Sequence, residues 1–156
     1  MNKLQRFFFI SSFIFLISCD SSRVFEQNKE ISQSVWDQKN KVTFQVEIKD
    51  TIFPHNVYIN VRNAGMYPFS NIFLFITTTL PDGKTARDTA ECILADKEGK
   101  WLGSGLGDIW DNQILFKKDV HFPQAGVYQF EFEQAMRTNL LPGIMDVGIR
   151  IEKAAK

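Results

Sequence analysis

Cys19 is the residue whose surroundings predict the most definite chemistry. The small Ser18 stands directly before it, and the aliphatic Leu16 and Ile17 stand three and two places before it. This arrangement resembles a bacterial lipobox, the signal at which a precursor is cleaved and its cysteine acylated. We therefore predict that Cys19 becomes the mature N-terminus and carries fatty chains, which would hold the chain on a membrane surface.

The segment before Cys19 is organised as a secretory signal. Lys3 and Arg6 make its front basic, and the apolar run FFFISSFIFLI then extends from 7 to 17. A membrane-spanning helix needs about 20 apolar residues, so this run is too short to be a stable span. Residues 1–18 are therefore predicted to be a signal peptide. The alternative is a soluble secreted protein in which Cys19 is an ordinary thiol.

The familiar catalytic and metal-binding motifs are missing from the rest of the sequence. His55 and His121 lie 66 residues apart, and no HExxH or CxxC motif provides the spacing of a zinc site. Gly103-Ser104-Gly105 is too short for the GxSxG elbow of a serine hydrolase, because it lacks the residue between each glycine and the serine. We therefore expect a protein without enzymatic activity, metal or cofactor.

Two acidic pairs are the remaining candidates for acid–base chemistry or calcium binding. They are Asp88 with Glu91, and Asp108 with Asp111. Acids at strand ends and turns are usually solvated or cap the turn, so we assign no function to either pair.

Composition narrows the classes of partner. Removing the signal peptide takes away two basic residues and no acidic one, which leaves 16 basic and 18 acidic groups and a net charge of −2. With no run of like charge, the chain offers no electrostatic footprint for nucleic acid. Cys92 is the only cysteine left besides Cys19, so it has no disulfide partner and is expected to be a buried small hydrophobe.

Alternation of apolar and polar residues predicts strands along most of the mature chain. It is unbroken in VTFQVEIK, residues 42–49, and recurs at 57–62, 127–133 and 147–151. We expect the first two of these strands to pair with each other. About seven strands without a convincing helix predict an antiparallel β-sandwich of the immunoglobulin-like or jelly-roll kind, with a barrel as the alternative.

The middle of the chain predicts a hairpin. The run IFLFITTTL, residues 72–80, is apolar on both faces in its first half, which is typical of a central strand covered on both sides. Leu80-Pro81-Asp82-Gly83 then has the proline and glycine positions of a type I turn. The strand that returns after this turn alternates imperfectly, so we expect it to lie at an edge or to contain a bulge.

The sequence also predicts where the folded domain begins. Residues 20–33 are polar with few apolar residues, so residues 19–35 are predicted to be a tether between the anchor and the body. Trp36 precedes the first clear strand, and we expect it to plug the edge of the core. A single β-sandwich domain would then occupy residues 36–156.

The segment GKWLGSGLGDIWDN, residues 99–112, combines four glycines with Trp101 and Trp110. The glycines predict a long shaped loop. The two tryptophans are candidates for stacking a sugar ring or anchoring a partner protein, and the alternative is that they close one end of the sandwich.

Several blocks in order carry a family resemblance. They are IKDT, PHNVYINVRN, MYPFSNIFLFITTTLPDGKTARDTAE, GKWLGSGLGDIWDN, FPQAGVYQFEFEQAMR and LPGIMDVGIRIE. From Val24 to Glu152 the chain resembles the gliding motility lipoprotein GldH family of the Bacteroidetes. The resemblance implies a cell-envelope lipoprotein required for movement over surfaces, beside other gliding lipoproteins in a machinery linked to type IX secretion. It implies no enzyme, and Cys19 is the one functional position that it transfers.

The resulting hypothesis is a non-catalytic adaptor on a membrane, facing the periplasm. The residue after the anchor is Asp20, an acid that in some bacteria retains lipoproteins at the inner membrane, but that rule does not transfer safely to this phylum. Inner and outer membrane therefore both stay open. The rival hypothesis is an envelope carbohydrate-binding module that uses Trp101 and Trp110.

Overall fold

The computed structural model describes residues 20–155, and this part of the chain folds into two antiparallel β-sheets packed face to face. The predicted signal peptide and Cys19 lie outside the described residues. Among the described residues, no helix is long and apolar enough to cross a membrane.

Eleven strands and one 3-10 turn (Ser32–Ser34) make up the described part of the chain. The strands are β1 (Arg23–Glu30), β2 (Val35–Asp37), β3 (Val42–Ile48), β4 (His55–Ala64), β5 (Asn71–Thr79), β6 (Thr85–Ile93), β7 (Ser104–Leu106), β8 (Ile109–Val120), β9 (Gly126–Gln134), β10 (Leu140–Pro142) and β11 (Ile144–Lys153). One sheet has the order β1-β11-β4-β8-β7, the other has the order β3-β9-β5-β6, and β10 pairs with β2 in a small third sheet. The predicted antiparallel sandwich is confirmed.

The core lies between the two large sheets, on the faces that the alternation predicts. Its strand residues include Phe44, Val46, Ile48, Val57, Ile59, Val61, Tyr128, Phe130, Phe132, Val147, Ile149 and Ile151, all of them buried. Trp36 is fully buried at the core edge, and its indole N–H donates to the carbonyl of Asn40 at 2.8 Å. The expected plug is therefore confirmed, with its one polar atom satisfied.

The prediction of a tether over residues 19–35 is wrong for most of that segment. Strand β1 pairs with β11 from Arg23 opposite Glu152 to Glu30 opposite Asp146, and it forms one edge of the five-stranded sheet. An edge strand with one face in solvent needs few apolar residues, and Phe25 is the one that packs against the core. The sandwich therefore begins at β1 rather than at Trp36.

The predicted pairing of the first two alternating strands is also wrong. Strand β3 pairs with β9, whereas β4 lies between β11 and β8 in the opposite sheet. Residues 49–54 carry the chain from one sheet to the other. Period-two alternation defines which face of a strand is buried, and both sheets bury the same kind of face, so alternation cannot assign a strand to a sheet.

The β5–β6 hairpin follows the prediction closely. Gly83, at a φ of 85°, donates its N–H to the carbonyl of Leu80 at 2.9 Å and closes the turn. Strand β5 is central, between β9 and β6, and β6 is the edge strand. The outer face of β5 is only half covered, and there the guanidinium of Arg87 lies 4.5 Å from the centre of the Phe75 ring.

Candidate functional site

The residues that follow the predicted site of lipid attachment contact the five-stranded sheet. Asp20, the residue after Cys19, accepts a hydrogen bond from the guanidinium of Arg150 in β11. This bond lowers the pKa of the Asp20 carboxyl to about 2. Two residues later, the carbonyl of Ser22 accepts the backbone N–H of Lys153 at 2.8 Å. A lipid on Cys19 would therefore hold the sheet itself close to the membrane.

The loop that joins β3 to β4 lies at the same end of the sandwich. Its Pro54 carbonyl accepts the N–H of Ala154 at 2.9 Å, and its Asp50 forms a 2.8 Å ion pair with Lys153. Two apolar residues of this loop face solvent, with Ile52 80% exposed and Phe53 40% exposed. We call this region, residues 20–22, 49–54 and 153–155, the anchor end.

Trp101 and Trp110 lie at the opposite end of the sandwich. Strand β4 begins with His55 beside Lys153, and eight residues later Asn63 pairs with Trp110. At about 3.4 Å per residue, these two points are about 27 Å apart along the strand. Trp101 bridges to Ala95, beyond the end of β6 at the same end of the sandwich. We call residues 65–70, 94–103 and 106–110 the far end.

The predicted long loop is mostly a hairpin. Strands β7 and β8 pair from Ser104 opposite Asp111 to Leu106 opposite Ile109, which leaves a turn with Gly107 at a φ of 68°. A long loop is therefore the wrong description from Ser104 onward. Alternation is hidden there because the short strand β7 consists of serine, glycine and leucine.

Both indoles are half-buried at the far end. Trp101 packs against the core and against the ring of Tyr67, with the ring centres 6.4 Å apart. The ring of Trp110 lies under the backbone of Gly105, where a Cβ would come within 2.7 Å of its Cε3 atom. This packing favours the interpretation that they close the end of the sandwich, and contact with a sugar or a partner stays a prediction.

Apolar side chains around the two tryptophans face solvent. Leu106 at the hairpin is 91% exposed and Leu102 is 58% exposed. Met66 is 68% exposed, and the neighbouring Gly65 donates its N–H to the carbonyl of Asp108 in the hairpin turn at 2.8 Å. The far end is therefore the part of the molecule that combines aromatic packing with exposed leucine and methionine side chains.

Comparison with known proteins identifies the family. Residues 23–151 match the family described as GldH lipoprotein. The chain belongs to the GldH lipoprotein family. It is 36% identical over 155 residues to "Gliding motility lipoprotein GldH homolog" of Christiangramia forsetii, covering 95% of this chain and 94% of the relative. It is 37% identical over 147 residues to "Gliding motility lipoprotein GldH" of Flavobacterium johnsoniae, covering 90% and 91%. The predicted family resemblance is confirmed.

In this GldH family member the family match coincides with the sandwich. It begins at Arg23, the first residue of β1, and ends at Ile151 within β11. Strand β1 therefore belongs to the family domain, although its polar sequence predicts a tether.

The acidic pairs of this GldH family member are not assembled into a site. Asp88 forms a 2.6 Å ion pair with Lys117, whereas Glu91, on the opposite face of β6, accepts a 2.6 Å hydrogen bond from Asn71. Asp111 forms a 2.6 Å ion pair with Arg62, and Asp108 lies in the turn between β7 and β8. Among residues 20–155, no group of three or more His, Cys, Asp or Glu side chains is placed to hold a metal ion.

Cys92 and His55 are buried in the sandwich, whereas His121 is exposed. Cys92 is fully buried, and burial raises the pKa of its thiol to about 12, so it is the buried hydrophobe that the sequence predicts. His55 is fully buried against Phe122, with ring centres 5.3 Å apart, and burial lowers the pKa of its imidazole.

Sequence reasoning missed a polar groove on the outer face of the five-stranded sheet. The groove has a volume of about 340 Å³ and is lined by residues of β1, β4, β7, β8 and β11. The sequence signal that could have pointed to it is the presence of Asn28, Asn60 and Gly148 inside strands, where asparagine and glycine are depleted.

Proposed function

We propose that this protein is a non-catalytic adaptor of the gliding motility machinery, fixed to a membrane at its anchor end and contacting a partner at its far end. Membership of the GldH lipoprotein family and the names of its relatives support a lipoprotein of that machinery. The observation that carries the adaptor role is the separation of the predicted lipid attachment from the tryptophan-rich end by the length of β4.

The anchor end supports a defined orientation on the membrane. Only Asp20 to Ser22 lie between Cys19 and β1, so the sandwich would have little freedom to move away from the anchor. The exposed Ile52 and Phe53 beside this point would enter the interface of the lipid layer, while the charged group of Lys153 would stay at its surface. The sandwich would then stand on this end and face the periplasm.

The far end supports the contact with a partner. Exposed large apolar residues rimmed by polar ones are typical of protein interaction surfaces, and Leu102 and Leu106 flank the half-buried tryptophans. A lipid anchor confines the sandwich to the membrane surface, which raises its effective concentration for partners on that surface. The partners that we propose are other gliding lipoproteins and the envelope machinery linked to type IX secretion.

The experiment compares variants in a gliding-deficient deletion strain. We expect Leu106→Asp to reduce crosslinking to motility components and to reduce movement, because a charge would be buried in the contact. Val127→Asp is the matched control, since Val127 is 52% exposed at the start of β9, outside the far end. Membrane fractionation of the same strains shows whether each variant is still anchored and on which membrane.

Two results would contradict the adaptor role. One is normal movement and normal crosslinking in Leu106→Asp combined with Leu102→Asp. The other is crosslinking that recovers no motility component from the parent strain.

A further inference from the structure

The outer face of the five-stranded sheet is organised in rows that run across the strands. Register places Asn28 of β1 opposite Gly148 of β11, Gly148 opposite Asn60 of β4, and Asn60 opposite Gln113 of β8. The amides bond to one another, since Asn60 donates to Asn28 at 3.0 Å and Gln113 donates to Asn60 at 3.3 Å. Four strands thus contribute one continuous amide row with a glycine in it.

Charged residues form the walls on both sides of this amide row. On the side toward the far end, Arg62 bonds to Asp111 at 2.6 Å and to Asp146 at 3.1 Å. On the side toward the anchor end, Arg150 bonds to Glu26 at 2.8 Å. Long ion-paired side chains therefore flank shorter amides, and the amide row becomes the floor of the groove.

Gly148 makes room for the side chain of Asn28, which lies directly against it. Its backbone is not in the left-handed region, so glycine is not required there by its dihedral angles. A Cβ at this position would instead collide with the side chain of Asn28 and come within 2.6 Å of the carbonyl of Gln27. The absence of a Cβ at this position therefore lets the Asn28 amide reach that of Asn60 across β11.

The outer face of the other sheet is built differently. There the corresponding row places Thr43 opposite Glu131, Glu131 opposite Thr77, and Thr77 opposite Arg87. Threonine is a good strand former, whereas asparagine and glycine are poor ones. Strand propensity therefore does not explain the asparagines and the glycine of the amide row. Residues that go against the propensity of their own element are concentrated at functional sites.

We propose that this groove binds a neutral saccharide. Amide groups offer a donor and an acceptor side by side, and the carboxylates add acceptors, which suits hydroxyl groups that both donate and accept. The volume of about 340 Å³ lies at the lower end of the range of about 300–1,000 Å³ for small-molecule pockets. This site goes beyond the adaptor role, because it lies on a sheet face rather than at the far end.

Charge and polarity exclude the competing classes of ligand. The groove and its walls carry three carboxylates, Glu26, Asp111 and Asp146, against two arginines, Arg62 and Arg150, and this net negative charge disfavours phosphates, nucleotides and acidic polysaccharides. Val61 is the one apolar residue among the described residues that line the groove, and its side chain is buried in the core. The groove therefore offers a peptide little apolar surface on which to bury its own apolar side chains.

The test uses the full-length protein, extracted in a zwitterionic detergent that has no sugar headgroup. The protein is applied to an array that carries three classes of ligand. They are neutral and N-acetylated oligosaccharides, uronic-acid and sulfated oligosaccharides, and unrelated peptides. We expect binding to neutral saccharides, confirmed by titration calorimetry. Gln113→Leu should weaken it about tenfold, because it removes hydrogen bonds to the ligand. Asn60→Ala, tested separately, should weaken it by a similar factor, because Asn60 holds Glu26, Asn28 and Gln113 in place through its hydrogen bonds.

Matched controls separate this site from the others. Gln45→Ala removes an exposed amide from the outer face of the four-stranded sheet and should leave affinity unchanged. Gln113 is exposed on β8, so Gln113→Leu should fold even if Asn60→Ala does not. Both groove variants should keep the crosslinks made through the far end, so failure of this proposal is distinguishable from failure of the adaptor role.

Three results would overturn the proposal. They are no binding of any neutral saccharide at millimolar concentration, preferential binding of acidic saccharides or peptides, and binding that survives both groove variants but is lost in Trp101→Ala.

Discussion

A substitution at Arg150 tests how the segment after the predicted anchor is held on the sandwich. Its guanidinium donates hydrogen bonds to the carboxylates of Asp20, of Glu26 at 2.8 Å and of Glu152 at 2.9 Å. The Arg150 side chain is 12% exposed, and those of Glu26 and Glu152 are 24% and 19% exposed. One arginine therefore joins the residue after Cys19, strand β1 and strand β11.

Arg150→Met should remove this charge while keeping most of the aliphatic stem. Breaking a buried ion pair costs about 3–5 kcal/mol, and the partial exposure of the two glutamates reduces the expected loss to about 2 kcal/mol. For a domain of this size, such a loss lowers Tm by roughly 6–8 °C. The amides of β1 should also exchange faster with solvent, because the edge strand loses a side-chain attachment.

The assay is thermal unfolding at neutral pH together with hydrogen exchange. The matched control is Arg23→Met, since Arg23 approaches the same Glu26 carboxylate at 3.4 Å but is 51% exposed. A surface pair of this kind contributes about 0.2–1 kcal/mol, so the control should melt close to the parent protein. If Arg150→Met destabilises the protein no more than Arg23→Met does, the reasoning is refuted.

Three further predictions concern the anchor end and its neighbourhood. Cys19→Ala should release the protein from membranes and abolish its support of movement, as measured by fractionation and gliding assays, and continued membrane partitioning would contradict the anchor. Ile52→Ser should reduce binding of the full chain to lipid vesicles in flotation, whereas Ile93→Ser, on the outer face of β6, should not. Burial lowers the pKa of His55 below its ordinary 6.5, so the folded protein takes up this proton less readily than the unfolded chain. Its contribution to stability should be complete above pH 6.5 and fall as the pH drops below 6.5, and His55→Leu should flatten the dependence of Tm on pH below 6.5. The ion pair with Lys153 lowers the pKa of the Asp50 carboxyl to about 2. The contribution of Asp50 to stability should therefore be lost only below about pH 4, outside the range in which His55 titrates.

Sequence patterns that depend on near neighbours predicted structure well. The alternation in residues 42–49 and 127–133 identified the buried faces of β3 and β9, because side-chain direction in a strand depends on nothing beyond the strand itself. The hairpin at Leu80–Gly83 followed from proline and glycine dihedral preferences. The family blocks led to the correct family for the same reason, since each is a contiguous stretch of residues.

Strand partners and the candidate groove were decided by the tertiary structure. Strand β1 was missed because its stability comes from pairing with β11, more than 110 residues later in the chain, rather than from its own apolar content. Asn28, Asn60, Gln113 and Gly148 meet in one row only because four strands align in register, and each residue alone is an ordinary polar or small residue. The types and order of neighbouring residues were therefore enough to predict the anchor and the buried face of each strand. Which residues share a surface was decided by long-range strand pairing, because the register of a sheet depends on several segments of the chain at once.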